Sequence, residues 1–184
     1  YASPVTSPQP TNNKTWMSEW NPNGTTWNEN WDDGTAYDGF AVAQNIQNAL
    51  TLGNVSAYVY WVGDSLGATR ALIQIDQANQ TFHVSKRLWA LAAYSRFIRP
   101  GAVRLNTSVT DPALQVSAFR NKDGATVIEV LNTGTAPITW HGVHGRSTAY
   151  LTDNTNSLTP SRVTGQTVTL QPRALTTIVI GDRR

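Results

Sequence analysis

The chain has 184 residues, enough for one large domain or two small ones with a buried core. Charged residues make up 14% and the net charge is +2, with the Arg residues scattered, so no nucleic-acid partner is expected. There is no Cys, which excludes disulfides and thiolate metal sites, and no apolar run approaches a bilayer span, so no membrane partner is expected.

Residues 1–13 are rich in Pro, Ser, Thr and Asn without periodicity and predict a polar lead-in loop. A short strand is expected over Thr15–Glu19, ended abruptly by Asn21-Pro22-Asn23-Gly24. A carboxylate at the last strand position, between Trp16 and Trp20, is costly in apolar surroundings unless it has a partner or a chemical task. It is either an edge or ion-paired residue or a catalyst, and the pattern allows both. Period-2 alternation puts Thr15, Met17 and Glu19 on one face and turns Trp16 and Trp20 away as packing residues.

Residues 21–34 form a long polar loop carrying Trp27 and Trp31, rings that are either packed as a lid or offered to a ligand. Thr35-Ala36-Tyr37-Asp38 has the form of a capping box variant. It opens a helix to Leu52, stopped by Gly53, with Val42, Ile46, Ala49 and Leu50 as its buried stripe. Asn54-Val55-Ser56 turns into a second strand, Ala57–Trp61, whose alternation groups Ala57, Val59 and Trp61 on an inward face. Gly63 to Ala68 reads as a Gly-rich loop before Arg70 and the apolar Ala71–Ile75. Ser85 then caps a helix over Lys86–Ile98, with Leu88, Leu91, Ala92 and Ser95 as its packing face, ended by Arg99-Pro100-Gly101. Strand, helix, strand, helix, with the chemistry at strand ends, is the order of a parallel α/β barrel.

After Gly101 the texture changes to short strands and turn clusters. Strands are expected at Val116–Arg120, Thr126–Leu131, Ile138–Trp140, Thr148–Leu151, Val168–Leu170 and Thr176–Ile180, with a hairpin turn at Asn121-Lys122-Asp123-Gly124. Such spacing predicts an antiparallel β-sandwich, so the expected domains are 1–101, the C-terminal portion of a barrel, and 102–184, a β-sandwich side domain. His83 lies far from His141 and His144, which sit in a turn-like stretch, so a surface turn is the reading rather than a metal site, and neither a metal nor a cofactor is expected. Seven Trp suit a sugar-binding protein, and five Asn-x-Ser/Thr sequons, at Asn13, Asn23, Asn54, Asn79 and Asn106, suit a secreted glycoprotein.

The segments Trp16-Met17-Ser18-Glu19-Trp20, Tyr58-Val59-Tyr60-Trp61, Ser85-Lys86-Arg87-Leu88-Trp89-Ala90-Leu91 and Tyr94-Ser95-Arg96-Phe97-Ile98-Arg99-Pro100-Gly101-Ala102-Val103-Arg104-Leu105 together resemble the C-terminal half of glycoside hydrolase family 30. The similarity is to its fungal xylanase and glucuronoxylanase-type branch. The resemblance implies a (β/α)8 barrel with an attached β-sandwich, Thr15–Glu19 being strand seven and Ala57–Trp61 strand eight. It also implies that Glu19 is the nucleophile of a retaining glycosidase acting on β-linked plant cell-wall polysaccharide, with (glucurono)xylan the expected substrate. Trp61 is then a platform for the sugar being cleaved, and Trp27 a candidate for flanking sugars. Arg70 is either a partner for a glucuronic acid substituent or half of an ion pair with Asp64 or Asp76. Alternatives are a β-1,6-galactanase or β-glucanase of the same family, or a noncatalytic carbohydrate-binding protein.

A retaining mechanism needs a second carboxylate roughly 5 Å from the first. Glu29, Asp32, Asp33, Asp38, Asp64, Asp76 and Glu129 read as loop, cap, turn or sandwich residues. The expectation is therefore that the acid/base Glu and strands one to six lie on an N-terminal fragment of the same enzyme. That partner would be held noncovalently, with residues 1–13 as the loop a protease would cut.

Overall fold

The computed structural model describes residues 3–8 and 13–181; residues 1, 2 and 9–12 of the expected lead-in loop, and 182–184, lie outside the described residues. The chain divides into two units, Tyr1–Leu91 and Ala92–Arg184.

The first unit opens with β1 (Trp16–Trp20), α1 (Gly39–Thr51) and β2 (Ala57–Tyr60), and the two strands pair in parallel. Parallel neighbours need a long crossover, and α1 supplies it. Trp16 lies beside Ala57 and Met17 beside Tyr58, but the register shifts before Trp20 meets Tyr60. That irregularity corrects the strict alternation expected of β1, because an extra residue reverses which face follows it. Within this chain Trp16 is 69% exposed, whereas Trp20 is buried with its ring 6.4 Å from Tyr58 and 6.2 Å from Tyr60.

α1 begins at Gly39 rather than at the expected Thr35 motif, and its N-cap is Asp38. Asp38 Oδ1 accepts the Ala41 N–H at 2.8 Å, satisfying a donor the first turn leaves open, and Oδ2 accepts the Asp33 N–H of the preceding loop at 3.1 Å. Burial, outweighing these hydrogen bonds, pushes the Asp38 carboxyl up to about 6. Phe40, Val42, Ala43, Ile46 and Ala49 are buried along the helix, and Tyr58 ties β2 to it by donating to Asn45 Oδ1 at 2.7 Å.

Three short strands follow, β3 (Asp64–Leu66), β4 (Ile73–Asp76) and β5 (Thr81–Val84), in the order β3-β4-β5, and β3 falls where a loop was expected. Leu66, Ile75 and Phe82 stand side by side across the sheet, all exposed. Alternation puts Ser65, Gln74 and His83 on its other face. The β4–β5 turn is closed by Asn79, whose N–H and side-chain amide reach Asp76 at 3.1 and 2.7 Å.

α2 (Lys86–Phe97) is shorter than expected by one residue and turned to a different face. Arg87, Ala90, Ala93 and Tyr94 are buried, while Ser95 is exposed and Leu88, Leu91 and Ala92 are half-buried. The leucines suggested one stripe; a buried Arg and two alanines make another, because Arg87 is hydrogen-bonded and small residues allow close approach.

The second unit holds β6 (Val103–Leu105), β7 (Leu114–Arg120), β8 (Thr126–Asn132), β9 (Ile138–His141), β10 (Ser147–Thr152), β11 (Ser157–Arg162), β12 (Thr167–Leu170) and β13 (Ala174–Ile180). An antiparallel sheet of order β11-β10-β13-β8-β7-β6 and a two-stranded sheet of β12 and β9 share a core of Val130, Val143, Ala149, Val168, Leu170 and Ile178. This is the sandwich the turn spacing predicts, with β6 and β11 as additional strands at the sheet's edges; β11 carries Pro160, which an edge tolerates. The β7–β8 hairpin turns at Asn121–Gly124, where Gly124 has φ +89° and its N–H meets the Asn121 carbonyl at 3.1 Å. Asn121 also anchors the end of α2, its amide donating to the Phe97 carbonyl at 2.8 Å and its oxygen accepting the Arg99 N–H at 3.0 Å.

Glu129 lies mid-sheet on β8, beside Ser117 of β7 and Thr177 of β13. It is fully buried; Thr177 Oγ1 meets Oε2 at 2.6 Å, and Oε1 has no hydrogen-bond partner. Burial pushes its carboxyl well above the usual range, with the Thr177 bond opposing, so the group folds as the neutral acid. A proton bound more tightly by the folded chain favours folding. Its stabilisation is complete below the unfolded pKa of about 4.3 and is lost as pH rises toward the folded value. Glu129→Gln should therefore remove this decline: between pH 5 and 8 the urea midpoint of the unmodified protein should fall relative to the variant's. Parallel midpoints across that range would contradict a neutral Glu129.

Candidate active site

β1 and β2 run in parallel, so their C-terminal ends lie on one edge, where Glu19 and Trp61 emerge. Glu19 is the penultimate residue of β1 and is half-buried. Trp61 follows β2 directly, and its N–H donates to the Trp20 carbonyl at 2.9 Å, extending the pairing one residue past the strand. The Trp61 ring is 51% exposed, and the Trp61–Val62 peptide is cis. Beneath this edge Tyr60 donates to the Arg70 carbonyl at 2.8 Å. Burial pushes the Tyr60 hydroxyl up to about 12 against the opposing pull of Arg87, and burial raises Tyr58 further, so both stay neutral donors.

The loop after β1 separates its two indoles. Trp31 is wholly buried, edge-on to Phe40 at 6.0 Å and 88°. Trp27 is half-buried, its indole N–H donating to Glu29 Oε1 at 2.8 Å and its ring lying 5.2 Å from the Arg87 guanidinium. Glu29 Oε1 also meets His83 Nδ1 at 3.0 Å. Polar bonds hold the loop: Asn28 reaches Asp33 and Thr35 at 2.9 and 3.0 Å, and Asn30 reaches Asp33 at 3.0 Å. Slight burial opposes it, yet the bonds from Thr35, Asn30 and Asn28 hold the Asp33 carboxyl below the usual carboxylate range. The loop backbone is stapled to both helix starts, with the Gly39 N–H on the Asn30 carbonyl at 3.1 Å and the Lys86 N–H on the Glu29 carbonyl at 3.2 Å.

Arg70 is exposed, and among the described residues it makes no ion pair with Asp64 or Asp76, correcting that reading. Asp76 is engaged by Asn79 instead, and those hydrogen bonds hold its carboxyl low. Asp33 and Asp38 serve the loop and the cap, and Glu129 belongs to the sandwich. Among the described residues no three His, Asp or Glu converge as for a metal ion. All five sequon asparagines, Asn13, Asn23, Asn54, Asn79 and Asn106, are exposed. A cleft of about 630 Å³ in the second unit, lined by Asp111, Leu114, Val116, Ile128, Ile138 and Trp140, is mainly apolar and lacks the carboxylate pair that glycoside cleavage needs. Sequence reading missed Arg87 beside Trp27 and His83 beside Glu29; the one signal was a charged pair, Lys86-Arg87, at the start of a helix.

A carboxylate and an indole thus lie at adjoining parallel strand ends, and an antiparallel sandwich follows them in the chain. Residues 101–178 match the family described as "Glycosyl hydrolase family 30 beta sandwich domain". The chain resembles the C-terminal part of family 30 enzymes, as the sequence motifs imply. It superposes on the catalytic domain of GH30 xylanase C from Talaromyces cellulolyticus with a TM-score of 0.85 and 31% identity, over 96% of this chain and 43% of that one. Glucuronoxylanase XynC of Bacillus subtilis is 27% identical over 125 residues, 65% of this chain and 28% of the relative. A putative glucosylceramidase of Caenorhabditis elegans is 39% identical over 85 residues, 45% of this chain and 16% of the relative. The chain thus spans less than a third of the length of these curated relatives. Among the described residues no helix is long and apolar enough to cross a membrane.

Proposed function

We propose that the chain is part of a secreted retaining glycoside hydrolase that cleaves β-linked plant cell-wall polysaccharide, (glucurono)xylan first, with Glu19 as nucleophile. The observation that carries this reading is the placement of Glu19 and Trp61 at neighbouring C-terminal ends of a parallel strand pair. Residues 1–101 are then the C-terminal portion of a (β/α)8 barrel, β1 and β2 its strands seven and eight, and 102–184 its side domain.

Glu19 attacks the anomeric carbon and forms a covalent glycosyl-enzyme; a second carboxyl protonates the leaving oxygen, then takes a proton from the attacking water. That acid/base Glu comes from the N-terminal portion of the enzyme, held noncovalently if the polypeptide is cut, since this chain has no Cys. Trp61 offers its ring to the sugar being cleaved and Trp27 to a flanking one. The exposed Arg70 guanidinium suits a glucuronic acid carboxylate. The exposed sequons suit N-glycosylation on a secretory route, except that a glycan on Asn79 would displace its bond to Asp76.

The test is product analysis on glucuronoxylan, arabinoxylan and β-1,6-linked galactan and glucan, with the initial anomer read by NMR. Xylose-based oligomers released with retained configuration are expected. Equal or better turnover of a β-1,6-glycan overturns the substrate, initial inversion overturns the mechanism, and binding without turnover leaves a noncatalytic carbohydrate-binding protein.

A further inference from the structure

We infer that Glu29, His83 and Arg87 are positioning residues that fix Trp27 as a rigid platform for a sugar outside the point of cleavage. The inference rests on the glycosidase reading above and adds how one subsite is held. Three elements converge on a single indole. From α2, the Arg87 guanidinium lies 5.2 Å from the ring. Arg87 is fully buried, with Nε on Ser85 Oγ at 2.9 Å and Nη2 on the Ala71 carbonyl at 3.0 Å, while Nη1 has no hydrogen-bond partner. A desolvated cation short of one acceptor gains from lying over a π-face, so the indole compensates Arg87 as Arg87 seats the indole.

The ring edge is fixed separately. Trp27 Nε1 donates to Glu29 Oε1 at 2.8 Å, and the same oxygen meets His83 Nδ1 of β5 at 3.0 Å. The Glu29 carbonyl accepts the Lys86 N–H at 3.2 Å, so the carboxylate is anchored by backbone as well. One face and one edge of Trp27 are therefore taken, and the ring stays half-exposed. Trp31, in the same loop, is wholly buried. An exposed aromatic that is already immobilised loses little rotamer freedom when a sugar stacks on it, which raises affinity without any new contact.

A staple that only holds the loop against α2 would use the same bonds, so the test must read sugar binding. The protein carrying Glu19→Gln, which cannot turn over substrate, is titrated calorimetrically with xylotriose and xylohexaose. Trp27→Ala should weaken xylohexaose about tenfold relative to xylotriose. Glu29→Ala should weaken it in the same length-dependent way by about three- to tenfold, and the double variant should be no weaker than Trp27→Ala alone. Glu29 and His83 are each about half-exposed, so His83→Ala serves as the second probe if Glu29→Ala lowers the thermal midpoint. A platform held otherwise would be revealed by Trp27→Ala acting while Glu29→Ala and His83→Ala do not. Additive losses in the double variant, or no effect of Trp27→Ala, would equally overturn the inference. None of these outcomes touches the nucleophile, whose failure would appear separately as turnover by the Glu19→Gln protein.

Discussion

With Glu19 as the proposed nucleophile, Glu19→Gln should lower hydrolysis by on the order of 10⁴-fold or more while leaving the fold intact, because the covalent route would be lost altogether. The change replaces one oxygen by an amide nitrogen at nearly constant volume, on a half-buried side chain at a strand end. The strand pair should not notice: its order comes from the β1–β2 ladder and from Trp20 packed on Tyr58 and Tyr60. Initial rates on glucuronoxylan, with circular dichroism to check the fold, make the measurement. More than about a tenth of the activity remaining would remove Glu19 from the role of nucleophile. If the variant also binds substrate as well as the parent, the loss lies in the chemical step.

Trp31→Ala should cost about 3–5 kcal/mol of stability, the range for truncating a wholly buried aromatic. Trp31 roofs the start of α1: its carbonyl accepts the Phe40 N–H and its ring meets Phe40 edge-on. The fit is tight enough that a Cβ on Gly39 would come within 2.7 Å of the Trp31 ring and 2.9 Å of the Lys86 side chain. Trp31→Phe keeps part of the contact and should cost less than half as much. Urea unfolding monitored by circular dichroism gives the comparison, and a loss under about 1 kcal/mol for Trp31→Ala would mean that the loop packs through other groups.

What the sequence made legible, it made legible through local rules. The hairpin at Asn121–Gly124 and the period-2 strands flanking it are where the pattern places them, because turn chemistry and alternation act over a few residues. Glu19 and Trp61 could be put at strand ends for the same reason. Three features resisted. The β1 register shift depends on pairing with β2, so Trp16 and Trp20 looked equivalent until the partner strand was in place. The face of α2 was misjudged because a hydropathy pattern cannot anticipate a buried Arg satisfied by Ser85 and Ala71. β3 to β5 are three or four residues long and partly polar, too short for any period to register. The surroundings of Trp27 draw on the first loop, β5 and α2, which only the folded chain brings together.

The small β3-β4-β5 sheet also bears on how the protein could be handled and adapted. Its register sorts Leu66, Ile75 and Phe82 to one surface and His83 to the other, so the two sides can change independently. Replacing Leu66 or Phe82, 57% and 67% exposed, by a polar residue would shrink an apolar patch on one face alone. Neither replacement need disturb the side chain that holds Glu29. A three-stranded patch of this kind keeps changes on one surface apart from the contacts made by the other.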